Sequence, residues 1–163
     1  MVTFITYYTT FLVDTSMRNE HSAGAVLLSG PANDILFLLL KHKDGHWGFP
    51  KGHMLQNEDE IDCAIREIVE ETGITREQLE FVQGFRRVID YSYKRTDGEE
   101  IHEESTYFLA SVQAPVSVAL SPEHTEYAWM TVDQALNSIT YENLRWVLKD
   151  ANQFISEQNK KTH

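Results

Sequence analysis

Residues 47–74 read WGFPKGHMLQNEDEIDCAIREIVEETGI, a glycine- and proline-bent approach followed by a segment crowded with acid. Asn57 has the chemistry of a helix N-cap and Glu60 stands three residues on, so a capping box and a helix beginning near Glu58 are predicted. Gly73 is a natural C-terminal stop. Between these ends Ile61, Ala64, Ile65 and Ile68 recur at helical spacing and form one apolar stripe. At ~100° per residue, Glu67, Glu70 and Glu71 fall within an arc of roughly 100° beside that stripe, so three carboxylates share one face.

A solvated structural helix gains nothing from this arrangement. Like charges at i,i+4 repel, and carboxylates in the last turn oppose the helix macrodipole, where Lys or Arg would be favoured. A divalent cation removes both objections, because clustered carboxylate oxygens are the donors that Mg²⁺ or Mn²⁺ prefers. Arg66 is placed to orient one of the glutamates by a bidentate hydrogen bond. Upstream, Gly48, Pro50 and Gly52 fix a tight approach of backbone to ligand.

The whole chain of 163 residues suits one domain with a sizeable core. Its net charge of −11 disfavours a broad grip on nucleic acid, so an anionic substrate has to be held locally. Cys63 is the single cysteine, which excludes an internal disulfide and fits a reducing, cytoplasmic setting. Residues 1–16 are apolar and β-prone but lack a basic n-region and a small-residue cleavage site, a poor match to a signal peptide. Their apolar run, about a dozen residues, is also too short to span a bilayer. These residues read equally as an edge strand, a tail or a product of start-site choice, since Met17 opens a normal lead into a first strand.

Working outward, Ser22–Ser29 and Asp34–Lys41 read as buried strands separated by the turn residues Gly30 to Asn33. Phe81–Tyr93 and Thr106–Val112 read as two long strands joined by a charged loop at 97–100, and Tyr127–Met130 as a shorter one. Thr131 with Gln134 predicts a capped short helix. A last helix is expected from near Tyr141, with Leu144, Val147, Leu148, Ala151, Phe154 and Ile155 as its apolar stripe. Strands flanking an acidic helix imply a mixed sheet between helices. The expected division is an N-terminal extension over 1–20, one domain over 21–158 and a polar tail over 159–163.

The pattern G-x5-E-x7-R-E-U-x-E-E-x-G-U, with U aliphatic, is filled without a departure by Gly52, Glu58, Arg66-Glu67-Ile68 and Glu70-Glu71-Thr72-Gly73-Ile74. With the preceding HWGFPKGH and the later SPEHTEYAWM, the chain resembles the Nudix hydrolases and, within them, the asymmetrical diadenosine tetraphosphate hydrolases. The resemblance implies an α/β (α+β) Nudix fold, an α-β-α sandwich around a mixed sheet. It implies hydrolysis of a dinucleoside polyphosphate, diadenosine tetraphosphate to ATP and AMP, by a soluble monomer using Mg²⁺ or Mn²⁺. It further implies metal ligation by Glu67, Glu70, Glu71, the Gly52 backbone and Glu123, with Glu58 and Arg66 as members of the motif. Which glutamate activates the water varies within that family, and Glu67 or Glu123 is expected to do so here.

Candidates for substrate contact are Lys51, His46, His53 and Lys94 toward phosphates, and Tyr91 and Tyr141 as rings that sandwich an adenine. Lys41, Lys43, Arg86, Arg87 and Arg95 are further cations in range. No zinc site is expected, because His46 and His53 are read as lacking a partner at metal-binding spacing. The competing activities are an RNA 5′-end pyrophosphohydrolase, which needs a basic track this chain lacks, and another nucleoside-diphosphate hydrolase. A nucleotide-sensing module without catalysis has no need of a complete set of carboxylates.

Overall fold

The structure is a computed structural model and describes residues 17–161; expectations for residues 1–16 lie outside the described residues. The strands are β1 (Arg18–Ser29), β2 (Leu36–His42), β3 (Trp47–Gly48), β4 (Lys51–His53), β5 (Glu80–Phe81), β6 (Arg87–Lys94), β7 (Glu100–Val112) and β8 (His124–Met130). The helices are α1 (Glu60–Thr72), α2 (Val132–Ser138) and α3 (Glu142–Lys161).

All eight strands belong to one mixed sheet whose centre is β1. It pairs antiparallel with β2 and β4, and parallel with β7 from Arg18↔Ile101 to Ser29↔Val112. A parallel pair requires a long crossover, and the chain between β1 and β7 carries α1. Strand alternation splits the core in two. Val26, Leu28, Phe37, Leu39 and Leu109 face Ala135, Ile139, Leu144, Val147, Leu148 and Ala151 of the C-terminal helices. Ala25, Leu27, Leu38 and Leu40 face the other way, onto Ile68 of α1 and Ile74. Both sheet faces are thus covered, the sandwich expected from the sequence. Among the described residues no helix is long and apolar enough to cross a membrane.

Several boundaries differ from expectation. Helix α1 starts at Glu60, and its N-cap is Asp59, whose side chain accepts from the Asp62 N–H at 2.9 Å. Asn57 instead takes a positive φ of 63° in the turn before it. Glu60 pairs with Arg86, at 2.6 and 2.7 Å, rather than closing a capping box. The end at Gly73 is as predicted, with φ 72° and its N–H on Val69 O. Strand β1 begins at Arg18, before Ser22, because its polar first residues pair with the equally polar start of β7. The span read as one strand over Phe81–Tyr93 is broken by Gly84 at φ 85°. Helix α3 continues to Lys161, into the segment read as a polar tail: its polar residues are good helix formers, and Lys160 and Lys161 suit a C-terminal turn.

Candidate active site

The loop Gly48–Gly52 carries the chain from β3 across β1 to the acidic helix. A side chain at Gly24 would place its Cβ 2.1 Å from the Pro50 carbonyl oxygen, so only glycine lets that loop lie so close on β1. A Cβ on Gly52 would stand 2.1 Å from the Glu67 carboxyl carbon, so the Glu67 carboxylate rests directly on the Gly52 backbone. The Gly52 carbonyl oxygen accepts from the Cys63 thiol at 3.4 Å. Cys63 itself is buried, and burial pushes its thiol up to about 11, which makes it a packing residue.

Arg66 organises the helix surface. Its Nε and Nη2 donate to the two oxygens of Glu58, at 2.7 and 3.0 Å, while Nη1 donates to Glu67 at 2.6 Å and Nη2 to the His53 carbonyl at 2.9 Å. The guanidinium beside Glu58 holds that carboxyl down at about 2. Glu70 reaches Arg66 only at 3.4 Å, and its side chain is 57% exposed. Glu71 is the buried member, accepting the Lys51 backbone N–H at 3.1 Å. Burial, with Glu67 and Glu123 nearby, pushes its carboxyl up to about 8, and burial likewise raises Glu67.

Glu71 opens onto a cavity of about 710 Å³ that is also lined by Lys51, Tyr91, Glu103, Glu123, His46 and Tyr141. Glu123 enters from the turn before β8, tied down by its carbonyl, which accepts the Lys43 N–H at 2.9 Å. Tyr141 is half-exposed and packs on His46 with ring centroids 5.4 Å apart. Of the residues singled out in the sequence, the cavity therefore collects Lys51, His46, Glu71, Tyr91, Glu123 and Tyr141. Lys94, at the end of β6, and His53 are not among its lining residues. His53 turns to a smaller depression with Glu20, which its Nε2 meets at 2.9 Å.

Most of the cations already have partners. Lys41 pairs with Glu126, Arg86 with Glu60, Arg87 with Asp150 and Arg95 with Glu20. Lys51 donates to Tyr91 at 2.9 Å and to Glu103 at 2.5 Å. Glu103 was missed by the sequence reading. It is buried on β7 and accepts also from Ser22 at 2.7 Å and Ser105 at 3.2 Å. Burial pushes its carboxyl up, but His53 and Lys51 outweigh this and hold it well below the usual carboxylate range. The signal was the alternation Ile101, Glu103, Ser105, Tyr107, which puts the acid on the inward face.

Among the described residues, two sets of three metal-type ligand atoms lie within 4.8 Å of one another: His42, Asp44 and His46, and Glu20, His53 and Glu103. The box glutamates do not form such a set. They nonetheless fit a divalent cation. Glu71 is raised by burial and by the charges of Glu67 and Glu123, Glu67 by burial and by those of Glu70 and Glu123; all offer hard oxygen donors, and the Lys51 ammonium beside Glu71 is engaged by Glu103.

A mixed sheet between helices, with an acidic helix entered through a glycine-bent loop, defines a Nudix domain. Residues 18–150 match the NUDIX domain family, and the chain belongs to it. It is 38% identical over 124 residues to the rat bis(5′-nucleosyl)-tetraphosphatase [asymmetrical], covering 74% of this chain and 81% of that protein. The protein of the same name from Caenorhabditis elegans is 33% identical over 137 residues, covering 83% and 96%. The crystal structure of a C. elegans Ap4A hydrolase binary complex superimposes with a TM-score of 0.76 at 32% identity, covering 85% of this chain and 98% of that one.

Proposed function

We propose that this Nudix pyrophosphohydrolase cleaves dinucleoside polyphosphates, diadenosine tetraphosphate above all, to ATP and AMP. The observation that carries the reading is the shared cavity. Glu71 and Glu123 supply acid on one side, and Tyr91 and Tyr141 offer aromatic faces in the same space. Base stacking of this kind contributes ~1–3 kcal/mol per base.

Glu67, Glu70, Glu71, Glu123 and the Gly52 carbonyl are the residues that would hold Mg²⁺ or Mn²⁺, which supplies charge neutralisation and polarisation at phosphorus. Arg66 keeps Glu67 and Glu58 fixed, so the helix surface is preorganised for that load. Of the two candidates for accepting the proton of the attacking water, Glu67 is pinned by Arg66. Glu123 makes no side-chain hydrogen bond or ion pair among the described residues, which favours Glu123. Tyr91, hydrogen-bonded to Lys51, sets the adenine relative to these acids and hence the phosphorus addressed.

The test is a substrate panel with and without Mg²⁺, products resolved by chromatography. Diadenosine tetraphosphate should turn over only with metal and outpace triphosphorylated RNA 5′ ends. Faster release of pyrophosphate from RNA would assign the RNA 5′-end pyrophosphohydrolase activity instead.

A further inference from the structure

The turn between β2 and β3 holds a cluster at the wall of the cavity, of which the hydrolytic reading uses only His46, as a candidate phosphate contact. His42 closes β2 and His46 precedes β3, and they are joined across the turn by His42 N–H to His46 O and Gly45 N–H to His42 O, both at 2.8 Å. Asp44 lies between them. Its backbone N–H donates to His42 Nδ1 at 3.3 Å, and its Oδ1 accepts the His46 N–H at 3.2 Å. The same carboxylate oxygen stands 3.1 Å from His42 Nδ1 and in contact with His46 Nδ1. On the far side of His42, across the register to β8, lies His124, ring centroids 5.8 Å apart. The spacing corrects the sequence expectation, since His46 does have a histidine partner four residues upstream.

We propose that His42, Asp44 and His46 form a second metal site, for a borderline transition-metal ion of the Zn²⁺ class, at the wall of the cavity. Three observations support it. The ligating atoms of all three residues lie within 4.8 Å of one another. At Zn–N distances of ~2.0–2.1 Å, neighbouring ligand atoms of a tetrahedral ion stand about 3.3 Å apart, and the His42–Asp44 pair is already at 3.1 Å. His46 Nδ1 is sealed from solvent and makes no hydrogen bond, although it touches Asp44. That nitrogen therefore has Asp44 as its one polar neighbour, and an ion between the two would part them to the ligand separation of about 3.3 Å.

Two imidazoles and one carboxylate select Zn²⁺, Ni²⁺ or Cu²⁺ over Mg²⁺, which prefers oxygen alone. The imidazoles lie nearly parallel, at 15°, and sharing an ion asks them to turn about χ2, a soft torsion. The backbone beneath them is held by the turn's own hydrogen bonds. The site is separate from the box acids, and it borders the half-exposed Tyr141 through His46. An ion here therefore adds charge at the cavity wall without displacing Glu67 or Glu71.

The test titrates Zn²⁺ calorimetrically into the full chain in excess Mg²⁺, with Co²⁺ as a spectroscopic probe, because nitrogen-ligated tetrahedral Co²⁺ absorbs far more strongly in the visible than octahedral Co²⁺ on oxygen. One Zn²⁺ per chain should bind undisturbed by Mg²⁺. His42→Gln and His46→Gln should each weaken it at least about tenfold, the lower end of what even outer-shell partners contribute, with folding checked by circular dichroism. Glu71→Gln should leave the Zn²⁺ isotherm intact. Displacement of Zn²⁺ by Mg²⁺, its loss in Glu71→Gln with retention in both histidine variants, or no binding at all would each overturn the proposal. None of these readouts depends on hydrolysis.

Discussion

Replacing Glu71 by Gln should stabilise the metal-free protein while disabling the enzyme. The glutamine keeps the shape that receives the Lys51 N–H and removes a charge held among other acids in a buried place. The folded-state pKa is raised from 4.5 to about 8. A raised carboxyl contributes stability that is complete below the ordinary pKa and is lost as pH climbs through the folded value. At about 1.4 kcal/mol per pKa unit the ceiling is about 5 kcal/mol, and water entering the open cavity reduces this to roughly 2 kcal/mol. For a domain of this size that raises Tm by roughly 4–8 °C. Scanning calorimetry in chelator should show wild type falling behind the variant between pH 4.5 and 8, the two converging in acid. In excess Mg²⁺ wild type should recover by mass action and the variant should not, while hydrolysis drops about a thousandfold, equivalent to ~4 kcal/mol. Parallel Tm curves across that pH window, or a variant less stable at pH 8, would refute the reasoning.

Other perturbations probe separate parts of the site. Gly52→Ala drives a Cβ into the Glu67 carboxyl, the movable end of a side chain; Tm should change little while kcat falls at least about tenfold, measured by calorimetry and steady-state kinetics. Glu103→Gln leaves the Lys51 ammonium without its counter-charge at 2.5 Å, and because Lys51 is partly exposed the expected cost is about 2 kcal/mol in urea denaturation at pH 7. The Glu103 pKa is depressed, so its contribution is present above the ordinary carboxylate pKa of about 4.3 and lost as pH falls below it; the gap to wild type should shrink by pH 3. Tyr91→Ala with Tyr141→Ala should raise KM more than it lowers kcat, and an unchanged KM would remove the base clamp.

Much of this fold could be read from residues because local signals agreed. Gly73 stops the acidic helix, Thr131 and Gln134 cap α2 as a reciprocal box, and the continuous apolar runs of β1 and β2 announce a sheet covered on both faces. Several of the errors share one cause, polar segments stabilised by partners distant in the chain, while others are local. Arg18 to His21, read only as a lead into the first strand, and Glu100 to Glu104, outside the strands read from sequence, join the sheet because β1 and β7 lie parallel and Glu20 meets Arg95 and His53. Asp59 outcompetes Asn57 as cap because Glu58 is drawn to Arg66 and to the Leu55 N–H. The alternation of β7 turns Glu103 inward, but its role shows only with its partners Ser22 and Lys51, which lie far upstream. The box pattern located Glu67 and Glu71 as neighbours, yet only the fold shows Glu71 buried and Glu70 turned to solvent.

The most direct measurement is hydrolysis of diadenosine tetraphosphate by the full chain in ¹⁸O-water with Mg²⁺, both products weighed by mass spectrometry. The account predicts ATP and AMP in equal amounts, one of the two carrying a single ¹⁸O, with no turnover in chelator. Two ADP as the dominant product, or equal turnover without divalent metal, would contradict it.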